Sequence, residues 1–175
     1  MRLVLDACVL FPERLRRVLL AYAEAGGFAP LWSDRILGEW ARAAEARLGP
    51  VAAALAREEA AALGRRFPNA RVTGWEALED AAGLPDPADA HVIAAARAAG
   101  ADGIVTLNAR DFPLRALGAA GLARVDPDAF LRAEYAPAGL LAETLAAVAA
   151  SERTDDFAHW IKKAGLPRLA KALRT

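Results

Sequence analysis

The sequence predicts a three-layer α/β/α domain built on a central parallel sheet, and three observations support this fold class. The run from Leu3 to Leu5 is apolar at every position, as is typical of a central parallel strand that helices cover on both faces. A short β-branched run over residues 103–107 is bounded by turn residues, which favours a buried strand over a helix. This run follows a helical pattern, and a helix that leads into a strand is half of a βαβ unit.

Strands and helices alternate in the first part of the chain. The terminators are glycine pairs and glycine-proline steps, and Ser33 is predicted to cap the helix that follows it. In order, we predict a strand over 3–5, a helix over 13–25, a strand over 28–32, a helix from Asp34 onward, and a helical region over 41–66 with breaks near Gly49–Pro50 and Gly64.

The second part of the chain continues this pattern and ends in helices. We predict a weak edge strand over 71–75, a short helical or irregular piece over 75–82, and then a helix with an acidic first turn that ends at Gly100. A strand over 103–107 and a short turn or helix over 113–117 follow. The last strand is predicted over 121–125, before a helix that starts near 126–127. From residue 137 the pattern is helical, with breaks at Ser151 and at 165–167. We therefore assign residues 1–132 to the α/β domain and 133–175 to a small helical C-terminal extension.

The composition is that of a globular protein in an aqueous compartment. Of the 175 residues, 55% are hydrophobic, which is enough to bury one sizeable core. No segment approaches the roughly 18 to 20 consecutive apolar residues that a membrane helix needs. Residues 1–11 lack the features of a secretion signal. We therefore expect a cytoplasmic protein without a membrane partner.

Charge and cysteine content exclude several kinds of site. The 22 basic and 22 acidic residues give a formal net charge of zero, which argues against a general nucleic-acid coat but leaves room for a local basic groove. The single cysteine, Cys8, excludes an intrachain disulfide and a cysteine-rich zinc site.

Four acidic residues are predicted to meet at one edge of the sheet. Asp6 ends the first strand, Glu39 lies on the helix after the second, Asp89 is in the first turn of a later helix, and Asp111 follows the strand over 103–107. Parallel sheets bind ligands at the carboxyl ends of their strands. Clustered carboxylates repel one another unless cations bind them. Without histidine or cysteine companions they suit Mg²⁺ or Mn²⁺, ions that orient a phosphodiester and activate water.

This ordered pattern resembles the PIN-domain nucleases, in particular the toxins of bacterial toxin-antitoxin modules. The resemblance covers roughly residues 2–130, and its last segment is the most specific. Four segments carry it: 4–7, 33–39, 89–95 and 104–112.

The resemblance implies a Mg²⁺- or Mn²⁺-dependent endoribonuclease with RNA as its substrate. It also implies a cognate antitoxin as a partner and assembly as a homodimer. Carried over residue by residue, it implies metal-binding and catalytic acids at Asp6, Glu39, Asp89 and Asp111, with Thr106 and Asn108 lining the site.

Several of these side chains also have a purely structural interpretation. Asp6 fits a turn or cap, and Glu39 fits a surface pair with Arg35 one helical turn away. Asp86 is either an accessory acid or the cap of the helix that follows, and we favour the cap. His91 is interpreted as a packed or surface side chain, since it suits a softer metal than the acids do.

Two other functions share part of this pattern. A haloacid-dehalogenase-like phosphohydrolase needs a second aspartate two residues after the first, where this chain has Cys8. Cys8 also replaces a small hydroxyl residue typical of PIN domains, so a hydroxyl contact near the first acid is in doubt. A non-catalytic PIN-fold module that binds RNA or a protein stays open.

Overall fold

The computed structural model describes residues 1–81, 83–152 and 154–174. Within these residues, four strands form one parallel sheet in the order β2-β1-β3-β4. Helices flank the sheet, so the predicted α/β/α class is confirmed. The strands are β1 Arg2–Leu5, β2 Ala29–Leu31, β3 Gly103–Val105 and β4 Ala123–Val125.

The helices follow the predicted order. Two 3₁₀ turns, Glu76–Leu78 and Pro87–Asp89, lie between α4 and α5. The helices of the described residues are α1 Ala7–Leu10, α2 Glu13–Glu24, α3 Asp34–Leu48, α4 Pro50–Arg66, α5 Ala90–Ala98, α6 Leu114–Ala119, α7 Pro127–Glu134, α8 Leu140–Glu152, α9 Phe157–Lys163 and α10 Pro167–Ala172. None of these helices has both the length and the apolar composition needed to cross a membrane.

The centre of the sheet is the buried strand β1. Its residues Leu3, Val4 and Leu5 are at most 1% exposed, as the apolar run predicted. Helix α5 packs against β1 and β3, and α2 packs against β2. The parallel register pairs Leu5 with Val105. The next residue of each strand, Asp6 and Thr106, therefore lies at the same edge of the sheet.

Helix boundaries agree with the capping signals except at one glycine. The Ser33 hydroxyl accepts a hydrogen bond from the backbone N–H of Ile36 at 3.3 Å, which confirms the predicted cap. Gly49, at φ +90°, separates α3 from α4. The break predicted around Gly64 is wrong, because α4 continues to Arg66. A single glycine costs a helix only about 1 kcal/mol, and the neighbouring Leu63 is anchored in the core.

The weak edge strand predicted over 71–75 is reduced to a single bridge between Trp32 and Arg71. Backbone hydrogen bonds join Trp32 N–H to Ala70 and Val72 N–H to Trp32, at 2.9 and 2.8 Å. Gly74, at φ +71°, then turns the chain away from the sheet. The strand predicted over 103–107 also ends early, at residue 105. Of the piece predicted over 75–82, only 76–78 is helical, and Ala82 lies outside the described residues.

The C-terminal helices pack onto the sheet domain. Trp160, Ile161 and Leu169 belong to the same continuous hydrophobic core as β1. The Asp128 carboxylate on α7 accepts hydrogen bonds from the backbone N–H groups of Arg168 and Leu169, at 2.9 and 3.0 Å. Because these groups lie at the start of α10, Asp128 caps α10 and joins this helix to α7.

A buried arginine joins three helices next to the sheet edge that carries Asp6. Arg16 is 7% exposed, and two of its nitrogens donate to the Glu59 carboxylate at 2.8 Å each. A third donates to the carbonyl of Leu10, at the end of α1. The guanidinium also lies over the Trp40 ring, 4.6 Å from its centroid. Arg16 therefore links α1, α3 and α4.

We expect Arg16→Met to lower the free energy of unfolding by about 2 kcal/mol, since the buried Leu10 carbonyl and the partly exposed Glu59 carboxylate lose their donor while much of the packing stays. Urea denaturation measures this loss. Arg17→Met is the control, because Arg17 is more exposed and contacts only Ser151 and Glu152 among the described residues. Its substitution should cost under about 1 kcal/mol. Equal losses would contradict the linking role of Arg16.

Candidate metal centre

The carboxyl ends of β1 and β3 bring Asp6, Cys8 and Thr106 into one hydrogen-bonded group. The Thr106 hydroxyl donates to Asp6 Oδ2 at 2.8 Å, and the Cys8 thiol donates to the same oxygen at 3.0 Å. Thr106 Oγ1 also accepts the backbone N–H of Asn108 at 2.9 Å. Asp6 is 6% exposed, and no hydrogen bond from a described residue reaches its Oδ1. Both hydrogen bonds therefore hold the Asp6 carboxylate through Oδ2.

A second group contains three carboxylates. Asp86, Asp89 and Asp111 each offer one oxygen, and these oxygens lie within 4.8 Å of one another. The Asn108 side-chain amide donates to Asp111 Oδ2 and orients that carboxylate. Asp86 Oδ1 accepts the N–H of Ala88 at 2.8 Å, so Asp86 caps the 3₁₀ turn as expected. It also belongs to the acid cluster, and the two interpretations are therefore compatible.

Burial and the negative charges around Asp89 raise its pKa from 3.8 to about 6. Burial contributes most, because it penalises the charged carboxylate, and the negative charges of the neighbouring acids add to it. Those neighbours are Asp6, Asp86, Asp111 and Glu39. All four predicted acids and Asp86 therefore share one electrostatic environment.

Glu39 is near enough to Asp89 for its charge to act on it, and it also contacts three basic side chains of the described residues. Its Oε1 lies 3.6 Å from Arg35 Nε and 3.7 Å from Arg42 Nη2. It lies 2.9 Å from Nε2 of His91. The surface pair with Arg35 is thus present, while the charge of Glu39 still acts on Asp89. His91 is fully buried, so of the two structural interpretations it is the packed one.

Arg35 also binds the segment that carries Asp86 and Asp89. Its Nη1 donates to Glu79 Oε1 at 3.0 Å, and its Nη2 donates to the carbonyl of Ala88 at 3.3 Å. Ala88 immediately precedes Asp89. The sequence predicts Arg35 only as a surface partner of Glu39. Its contacts with Glu79 and Ala88 could not be predicted, because these residues are 44 and 53 positions away along the chain.

Cys8 takes the place where a hydroxyl was expected. Besides donating to Asp6, its sulfur accepts the backbone N–H of Leu107 at 3.2 Å. Burial, followed by the adjacent Asp6 charge, raises the pKa of the Cys8 thiol from 9.0 to about 12. The thiol is therefore protonated at neutral pH and supports Asp6 as a hydrogen-bond donor.

We expect the native protein to resist alkylation at Cys8, because the thiolate is the reactive form. Iodoacetamide at about pH 8 should label the folded chain at least 100-fold more slowly than the chain in urea, whose thiol has an ordinary pKa. Mass spectrometry over time gives both rates. Similar rates in the two states would show that Cys8 is not held as a protonated donor.

The donor set fits a hard divalent cation. Oxygens on opposite sides of a magnesium ion lie about 4.2 Å apart. The spacing of up to 4.8 Å among Asp86, Asp89 and Asp111 therefore requires only small side-chain rotations to form a site. Every ligand in this set is a carboxylate oxygen, which suits Mg²⁺ or Mn²⁺ better than zinc. A bound cation would also relieve the repulsion that raises the pKa of Asp89.

Comparison with known proteins gives one match. A family model described as a PIN domain matches residues 2–110. No curated protein and no solved structure was found to match the chain. The matched region covers more than half of the chain and includes Asp6, Glu39, Asp86 and Asp89. It ends one residue before Asp111.

Proposed function

Because the chain belongs to the PIN-domain family, whose members are generally nucleases, we propose that it is a metal-dependent endoribonuclease. The observation that carries the proposal is the convergence of four acids on the half-buried Asp89, whose pKa rises to about 6. A protein keeps such repulsion at a cost in stability, and a bound cation offsets it. Mg²⁺ or Mn²⁺ is the proposed ion.

In this proposal, each acid has a defined task. Asp6, Glu39 and Asp89 hold the ion, and Asp111 completes its ligand set. Asp86 supplies a further oxygen from the same cluster. The ion, when bound, orients the phosphodiester, lowers the pKa of the attacking water and neutralises charge on the leaving oxygen.

The remaining polar residues position these acids. Thr106 and Cys8 donate to one oxygen of Asp6 and so keep its carboxylate in one orientation. Asn108 does the same for Asp111 through its side-chain amide. Arg42 has an exposed side chain beside Glu39, and we propose that it contacts the RNA phosphate backbone.

Incubation of the purified protein with total cellular RNA tests the activity. We expect cleavage with Mg²⁺ or Mn²⁺, none with EDTA, and a defined set of cleaved ends. The same reactions on single-stranded DNA separate RNA from DNA specificity. Intact RNA in the presence of both ions, with a folded protein, would overturn the proposal.

A non-catalytic PIN-fold module that binds RNA or a protein is the second candidate. Two contacts favour it, because Arg35 and Arg42 both approach Glu39 and neutralise part of its charge. Titration with Mn²⁺ separates the two functions, since a ligand that binds only the folded state raises the midpoint of thermal unfolding. Stabilisation by Mn²⁺ supports the nuclease, and an unchanged midpoint supports the binding module.

We also propose that the protein is a toxin that acts in the cytoplasm and is neutralised by a cognate antitoxin. This proposal, like that of a homodimer, comes from the family resemblance. Induced expression in a bacterial host should arrest growth, and Asp6→Asn should not. Sedimentation of the purified chain tests the dimer.

A further inference from the structure

His91 is a buried polar side chain with an unusual lack of partners. It is 0% exposed and lies on α5, two residues after Asp89. Neither ring nitrogen makes a hydrogen bond to any described residue. The ring packs against Trp75, with the centroids 5.8 Å apart and the planes at 55°. Buried polar atoms are nearly always hydrogen-bonded, so this ring calls for an explanation.

The Glu39 carboxylate is close enough to accept a hydrogen bond from His91. His91 Nε2 lies 2.9 Å from Glu39 Oε1, at contact distance but out of line for a hydrogen bond. A small rotation of the terminal carboxylate of Glu39 would align the two groups, because that torsion is soft.

Among the described residues, three basic side chains approach the same oxygen of Glu39. Arg35 and Arg42 approach Oε1 at 3.6 and 3.7 Å, and His91 is nearer at 2.9 Å. The two arginine side chains are 38% and 64% exposed, so solvent competes for them. Of these three side chains, only His91 contacts Glu39 from a buried position, where water does not compete for the contact. None of these contacts involves Oε2, which can therefore turn toward the acid cluster.

We propose that His91 is a positioning residue, which holds Glu39 by an Nε2–H···Oε1 hydrogen bond so that Oε2 is presented to a divalent cation. The inference rests on the proposed function, since it requires Glu39 to be a ligand. In this arrangement Nε2 is the donor, and the packed Trp75 ring limits rotation of the imidazole. Groups that orient metal ligands in this way change metal affinity about 10- to 100-fold.

Calorimetric titration of the full chain with Mn²⁺ tests this role. His91→Phe removes the donor but fills the space, and we expect it to weaken Mn²⁺ binding about tenfold or more. His91→Gln places an amide N–H near the position of Nε2 and should restore binding to within about threefold of the wild type. Circular dichroism and the thermal midpoint establish that each variant is folded.

A double-mutant cycle tests whether His91 acts through Glu39. In a Glu39→Gln background, His91→Phe should cause no further loss of Mn²⁺ affinity, because the ligand that it orients is gone. Independent losses in the cycle would overturn the proposal. Failure of His91→Gln to restore binding would also overturn it, since that result would make the imidazole itself the ligand.

A measurement without metal separates this inference from the proposed function. Long-range ¹H–¹⁵N spectra report which ring nitrogen of a histidine carries the proton. We expect the Nε2–H form in the metal-free wild type and a clear shift of the Nε2 signal in Glu39→Gln. An unchanged spectrum overturns the His91–Glu39 contact. If the contact is present and the wild type still binds no Mn²⁺, the proposed function fails, and the positioning role fails with it.

Discussion

Asp6→Asn is expected to reduce metal-dependent RNA cleavage at least about 100-fold while the protein stays folded. The carboxylate is almost fully buried at the end of the central strand, where asparagine has nearly the same shape. The amide oxygen can still accept the Thr106 hydroxyl. The Cys8 thiol donates to the same oxygen as Thr106, so the amide oxygen can accept both hydrogen bonds. The negative charge, which a cation requires, is removed.

The same change should make the metal-free protein slightly more stable, because Asp6 is one of the charges that repel Asp89. Cleavage rates with Mn²⁺ and thermal unfolding in EDTA give the two results. Asp102→Asn is the matched control: Asp102 lies before β3, at the opposite edge of the sheet, and accepts the N–H of Arg2 at 2.6 Å. It should retain activity. Full activity of a folded Asp6→Asn protein would exclude the proposed metal site.

The sheet could be predicted because its strands carry a local signal. Leu3 to Leu5 must be apolar on both faces to lie between helices, and that requirement is visible in the residues themselves. Strand ends are less visible. Residues 106 and 107 continue the β-branched and apolar run of β3, but the Thr106 side chain bonds Asp6 and the backbone N–H of Leu107 bonds Cys8. Contacts with distant residues therefore end that strand.

The acids of the site could be predicted for a similar reason, since a residue that follows a parallel strand must lie at a known edge of the sheet. The partners of those acids could not. The contact of His91 with Glu39 depends on how α5 packs against α3, and the tether from Arg35 to Ala88 depends on the path of residues 76–89. The spacing of residues along the sequence predicts neither of these two contacts. Asp86 illustrates a further limit of sequence-based prediction, because the same side chain both caps the 3₁₀ turn and belongs to the acid cluster.

Asp89→Asn should make the metal-free protein more stable at pH 7 and remove its stabilisation by Mn²⁺. The folded-state pKa of Asp89 is about 6, above its ordinary value of 3.8, so the native state binds this proton more tightly than the unfolded state. Stability from this group is therefore complete below about pH 4 and is lost as the pH rises through 6. Because Asp89 is half-buried, solvent screening limits the loss at pH 7 to about 1 kcal/mol.

Asparagine has no such proton to lose, so the difference in stability between Asp89→Asn and the wild type should grow between about pH 4 and pH 7 in EDTA. Thermal unfolding of both proteins across this range measures it. Saturating Mn²⁺ should reverse the order at pH 7, because the ion binds the ionised carboxylate of the wild type and replaces its proton. A difference that does not change with pH would mean that the folded state does not raise the pKa of Asp89. Burial and repulsion of the ionised Asp89 carboxylate therefore predict both a pH-dependent loss of stability without metal and an affinity for a cation that offsets this loss.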